Sequence, residues 1–273
     1  MNNLKVTIEK AVMKANLPAG KMLLLGFLAG AFIAFGAQFS NMVSFNLLSS
    51  ADTYGLGRCL AGFVFAVGLM LVILAGAELF TGNCLMICGV LDKKITAGQM
   101  LKNWALVFIG NLIGAVFIAA MLNYTGLFSS GAGLLGAMTV KIGAGKTSLL
   151  FGKAFVLGIL CNWLVCLAVW MAFVADNTVG KMLSCLFPIW LFVASGFEHS
   201  IANMYYIPAA IMAKGEYGQA AMDIGVTQEM LDGLNWGCFF SANLLPVTLG
   251  NIVGGVIFVG VIYYICYGDK KNG

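Results

Sequence analysis

From Cys59 to Leu91 the chain runs 33 residues with one charge, Glu78, and from Met182 to Ala213 it runs 32 with one carboxylate, Glu198, beside the only histidine, His199. A helix rises about 1.5 Å per residue and needs roughly 20 residues to cross a bilayer. Each stretch is too long for one straight span and too short for two spans and a loop. A single helix interrupted inside the bilayer fits both. Irregular backbone survives at that depth only where protein buries it or a water-filled cavity receives it. Each interruption is therefore expected to form part of a pore wall.

Four further stretches are uncharged and long enough to span: Met22 to Ala51, Asn103 to Met121, Ala154 to Ala175 and Gly233 to Gly268. The total is six passes. Composition agrees, since 10% of the 273 residues are charged where a soluble domain carries about 25%. With both termini placed in the cytoplasm, that side holds Lys5, Lys10, Lys14, Lys21, Lys93, Lys94, Lys102, Lys181, Lys270 and Lys271, against Arg58, Lys141, Lys146, Lys153 and Lys214 outside. Ten against five favours that orientation in a cell (plasma or inner) membrane. Residues 1–21 carry too many charges for a cleavable signal, and Leu4, Ile8, Ala11 and Ala15 share one helical face. They read as an amphipathic helix on the membrane surface.

Several function classes drop out. No basic stripe is available to track phosphates, so no nucleic-acid partner is expected. The eight cysteines lie in apolar stretches without a CxxC pair, and one His cannot complete a Cys/His zinc site. No metal, cofactor or catalytic residue is assigned. An enzyme would need a nucleophile–base pair or a metal, and His199 has no Asp nearby to orient it. The run Gly143-Ala-Gly-Lys-Thr-Ser148 is not a phosphate loop, because Val140 stands where its first glycine belongs. Lys146 within it reads either as a vestibule cation or as an ordinary loop lysine.

The two odd stretches are related. Gly76-Ala-Glu-Leu-Phe-Thr-Gly-Asn83 and Gly196-Phe-Glu-His-Ser-Ile-Ala-Asn203 share G-x-E-x-x-x-x-N. Gly110-Asn-Leu-Ile-Gly-Ala-Val116 and Gly250-Asn-Ile-Val-Gly-Gly-Val256 share G-N-x-x-G-x-V. Each half then reads span, broken span, span. Three passes is odd, so the second half enters from the opposite face and the repeat is inverted. The expected single domain (1–273) holds repeats at 22–124 and 150–268 after the 1–21 helix. Ionisable groups at membrane depth are costly and mark function; here they are Glu78, Glu198 and His199. The glutamates are expected to accept bonds from backbone amides freed at the breaks, a structural role favoured over a proton relay. His199, replaced by Leu79 in the other half, could donate a hydrogen bond or a proton to an anion.

The chain resembles the formate/nitrite transporter family in Ile73-Leu-Ala-Gly-Ala-Glu-Leu-Phe-Thr-Gly82, Gly158-Ile-Leu-Cys-Asn-Trp-Leu-Val-Cys-Leu-Ala-Val-Trp170, Gly196-Phe-Glu-His-Ser-Ile-Ala-Asn203 and Gly250-Asn-Ile-Val-Gly-Gly255. Within the family it is most similar to the hydrosulfide-channel branch. The resemblance implies an all-α, aquaporin-like six-helix bundle, assembled as a homopentamer with one pore per subunit. It implies Thr81 facing His199, Phe192 with Leu79 as an inner constriction, and Phe80 with Val165 as an outer one. Lys146, Asn162 and Asn251 would set the polar environment. The expected function is passage of small monovalent anions of the hydrosulfide, formate and nitrite class, with Lys146 attracting the anion and Thr81 and His199 receiving it. A water or glycerol channel is the rival, against which stands the absence of paired Asn-Pro-Ala motifs; Ile207-Pro208-Ala209 is the nearest approach.

Overall fold

The computed structural model describes residues 2–268, so Lys270 and Lys271 of the charge count lie outside the described residues. Helix α1 (Asn2–Ala15) precedes α2 (Ala19–Ser44) and α3 (Tyr54–Ala75). After a break, α4 (Phe80–Leu91) completes the crossing that α3 began, and α5 (Ala97–Tyr124) returns. The second half repeats the order: α6 (Leu134–Thr147), α7 (Phe151–Ala172), α8 (Thr178–Ser195), a break, α9 (Ser200–Asp223), the short α10 (Gln228–Gly233) and α11 (Trp236–Tyr267). Six of these helices are long and apolar enough to cross a bilayer, and no strand occurs among the described residues. Helix α11 reaches its full length through two stretches of wider π turns, Phe239–Leu244 and Val256–Val261.

Close helix crossings explain the glycine content. In lipid, helices associate by contact rather than by hydrophobic drive, so small residues mark the crossings. A methyl added at Gly26 would sit 2.9 Å from the Val107 carbonyl oxygen, and one at Gly158 would sit 2.8 Å from that of Val247. These are equivalent places, the α2–α5 crossing in one half and the α7–α11 crossing in the other.

The N-terminal helix departs from expectation. Leu4, Thr7 and Ala11 are buried, and α1 packs against α4, α5 and the end of α11. Its apolar face covers protein rather than lying alone in the interface. Helix α6, of the same length, takes the equivalent place in the second half, 132 positions on. The Gly143–Ser148 run, read as loop, is the last turn of α6 and its cap.

Candidate conduction site

Both broken helices end in the same way. Gly76 closes α3 with φ of +81°, and Gly196 closes α8 with φ of +82°, a left-handed conformation that glycine adopts at little cost. The next amides turn back, Ala77 N–H to the Val72 carbonyl at 2.9 Å and Phe197 N–H to the Phe192 carbonyl at 3.0 Å. Each linker is then pinned to its neighbouring span, Glu78 N–H to Leu25 O (3.1 Å) and Glu198 N–H to Leu157 O (3.3 Å).

A helix starting inside a bilayer leaves amides without partners. Asparagine supplies them. Asn111 Oδ1 accepts Phe80 N–H at 3.0 Å, while its Nδ2 donates to the carbonyls of Gly26 (2.8 Å) and Glu78 (2.9 Å). Asn251 repeats this on Ser200 N–H (2.9 Å), Gly158 O (2.8 Å) and Glu198 O (3.0 Å). The expectation that Glu78 and Glu198 take the freed amides is thereby corrected. Each carboxylate faces side chains instead. Lys14 Nζ and Asn83 Nδ2 both reach Glu78 at 2.7 Å, and Lys146 Nζ and Asn203 Nδ2 both reach Glu198 at 2.7 Å. Asn103 joins the first cluster through Asn83, and Asn243 the second through Asn203. Burying two charges requires such pairing and saturation. Lys146 is thus an ion-paired helix residue rather than a free loop cation.

The two breaks meet at Thr81 and His199. Thr81 Oγ1 lies 2.9 Å from His199 Nε2, and both residues are buried. His199 caps α9, its Nδ1 accepting Ala202 N–H at 3.1 Å. An Nδ1 that accepts has no proton, so the neutral ring carries its proton on Nε2 and donates to Thr81. Behind Thr81, its carbonyl receives Asn162 Nδ2 (3.2 Å) and the Cys166 thiol (3.3 Å), and Asn162 also donates to Asn251 O at 2.7 Å.

A cavity of about 500 Å³ opens onto His199 from the face where α3 begins, lined by Arg58, Lys141, Lys146, Glu198, Phe65 and Phe192 among others. Phe65 and Phe192 pack edge to face with centroids 5.8 Å apart, and Phe192 lies 5.9 Å from the His199 ring. This corrects the pairing of Phe192 with Leu79 as an inner constriction: Phe192 stands on α8 before the break, against α3, and lines the vestibule. Phe80 and Val165 do not line it. The Phe80 ring packs on Trp104 and Phe108, while Leu79 and Val165 are buried. Sequence reasoning missed Lys14, Asn103, Asn243, Asn111 and Phe65. Asn111 had a signal as the repeat partner of Asn251, and Asn103 and Asn243 share the same offset, each eight positions before the motif asparagine.

Known proteins give this geometry a lineage. The family model for the formate/nitrite transporter matches residues 2–265. A probable formate transporter of Methanothermobacter thermautotrophicus is 43% identical over 94% of this chain and 92% of its own length. The formate channel FocA of Escherichia coli (strain K12) is 36% identical over 96% and 92%. A solved structure described as a pentameric formate channel with formate bound superposes with a TM-score of 0.80 at 38% identity, covering 91% of this chain and 97% of its own. A family resemblance at that breadth, carried on an inverted repeat with two broken helices, makes this multi-pass membrane protein a member of the formate/nitrite transporter family.

Proposed function

We propose that this chain is a single channel domain that conducts a small monovalent anion, formate first among them, through one pore in each subunit of a homopentamer. Its setting is the cell membrane, with both termini cytoplasmic and the vestibule outside. The carrying observation is the Thr81–His199 contact, made where two broken helices meet at the floor of a vestibule rich in cations. Relatives described as formate channels, one of them pentameric with formate bound, support the substrate class and the assembly.

An anion entering an apolar constriction without partners would pay several kilocalories per mole or more. Phe65 and Phe192 make such a constriction. Beyond it, His199 Nε2–H and the Thr81 hydroxyl replace part of the lost hydration. The ring in its observed tautomer offers a hydrogen bond, and a proton relay through it would require Nδ1 to release Ala202 N–H first. The anion therefore exchanges hydrogen bonds at His199, and a proton taken from bulk hydronium in the vestibule and released on the far side carries it past the apolar rings as the neutral acid.

The test is flux in liposomes for formate, nitrite, hydrosulfide, acetate and chloride, with water and glycerol as neutral solutes. Formate is expected to lead, and His199→Phe and His199→Asn to slow it at least tenfold and alter its pH dependence. Flux and pH dependence unchanged from wild type in both variants would remove His199 from the pathway. Preference for hydrosulfide would reassign the substrate, and preference for glycerol would replace the anion reading.

A further inference from the structure

The vestibule contains more positive charge than the Lys146–Glu198 pair accounts for. Among the described residues only two ion pairs occur, Lys14–Glu78 and Lys146–Glu198. Glu198 is the sole carboxylate lining the vestibule, and Lys146 uses it. Arg58 and Lys141 line the same cavity with no carboxylate within ion-pair distance. Both are anchored on main-chain carbonyls at helix C-termini. Arg58 donates from Nε to Ala194 O at 3.1 Å and from a terminal nitrogen to Val193 O, and Lys141 Nζ donates to Ile224 O at 2.7 Å. A helix end offsets at most about half a charge. Two full charges therefore leave a positive excess, and Arg58 keeps three of its five N–H groups for another partner.

A second observation points to what that partner is. Asn41, buried at the wall of this cavity, has an Nδ2 group with no acceptor. A buried donor without a partner costs on the order of 1–3 kcal/mol, so it is kept only for a reason. The inverted repeat supplies an internal control. A purely architectural role would recur in the other half, as Lys14, Glu78, Asn83 and Asn111 do. At the places equivalent to Arg58, Lys141 and Asn41 stand Thr178, Glu9 and Phe173. The cations and the free amide belong to the vestibule face alone.

We infer that Arg58, Lys141 and the Asn41 amide form an anion-capture subsite in the vestibule, ahead of the Thr81–His199 pair, that takes a small carboxylate such as formate. A guanidinium fork and an amide donor match a planar carboxylate better than a spherical halide. The subsite concentrates the anion at the pore mouth, where a cation-lined cleft raises association rates by about tenfold or more. It deepens the anion-conduction reading, but its binding can be measured without conduction.

The experiment reads line broadening of [13C]formate by purified His199→Phe protein, where the deeper site is disabled, with His199→Asn as a second background. Broadening is expected in both. Adding Arg58→Gln or Asn41→Leu should raise the half-saturating formate concentration about fivefold or more, and Arg58→Lys, which keeps the charge but not the fork, should recover only the smaller part of the loss. Asn41→Leu leaves the Arg58 anchor in place and removes an unpartnered donor, so it should not lower thermal stability. Loss of binding there with intact folding separates capture from architecture. Lys153→Gln, an exposed charge outside the cavity, serves as control and should shift nothing. No broadening in either background, or unchanged binding in both added variants, would overturn the subsite. Wild-type protein that binds formate there but moves none in liposomes would overturn conduction and leave the subsite standing.

Discussion

Thr81 Oγ1 and His199 Nε2 are 2.9 Å apart, although 118 positions separate the two residues in the chain. Each follows a left-handed glycine turn at the end of a broken helix, so the two halves of the repeat place them face to face. Because His199 donates, the Thr81 hydroxyl proton remains free for a third group. Thr81→Val keeps the side-chain shape and deletes both functions of the oxygen. Formate flux in liposomes is expected to fall about tenfold, the equivalent of one net hydrogen bond of ~1.4 kcal/mol. Thr81→Ser should retain most of it. Equal rates in the Val and Ser variants would show that the hydroxyl takes no part.

The paired clusters give a stability prediction. Lys146 and Glu198 are 2.7 Å apart with side chains mostly buried. Breaking such a pair leaves one charge stranded, at about 3 kcal/mol or more. Glu198→Gln should lower the unfolding midpoint of the solubilised protein, and Lys146→Met/Glu198→Gln should recover at least half of that loss. The same cycle on Lys14 and Glu78 should behave alike, since the geometry repeats. A double variant as unstable as the sum of its singles would mean that the charges are not coupled.

What the amino-acid sequence disclosed and what it hid divide along physical lines. The spans, the two breaks and the inverted repeat were readable because they rest on hydrophobic length and a short motif around Glu78 and Glu198. The Thr81–His199 contact was reachable only through family resemblance. Long-range side-chain pairing was hidden. Lys14 and Lys146 lie in segments with no motif in common, so nothing local announces that each reaches a glutamate more than 50 positions away. The Phe65–Phe192 pair was missed for a similar reason, as an aromatic in an apolar span carries no sign of which neighbour it will meet.

Asn111 and Asn251 carry the heaviest architectural demand. Each satisfies one backbone amide and two carbonyls at a helix break. Asn111→Leu or Asn251→Leu would orphan three buried groups at roughly 1–3 kcal/mol each. Either change should lower the unfolding midpoint by on the order of 10 °C, or prevent recovery of an assembled protein. Asn→Asp should be no better, because a carboxylate cannot donate to the two carbonyls and would repel them. A midpoint within two or three degrees of wild type, read by intrinsic tryptophan fluorescence, would mean that water or other donors replace the amide.

The two break glycines separate backbone strain from contact. Gly76 and Gly196 share the same left-handed φ, so alanine at either should cost about 1 kcal/mol from the backbone alone. Their surroundings differ. A methyl at Gly76 meets nothing within 4 Å, whereas one at Gly196 sits 3.1 Å from an Arg58 terminal nitrogen. That guanidinium caps the Val193 and Ala194 carbonyls, and four residues after Ala194 the chain reaches Glu198. Gly76→Ala and Gly196→Ala should therefore destabilise to a similar degree, while only Gly196→Ala should also raise the formate concentration for half-maximal flux, by displacing Arg58. If both variants shift that concentration equally, strain at the breaks governs anion affinity and the Arg58 contact does not.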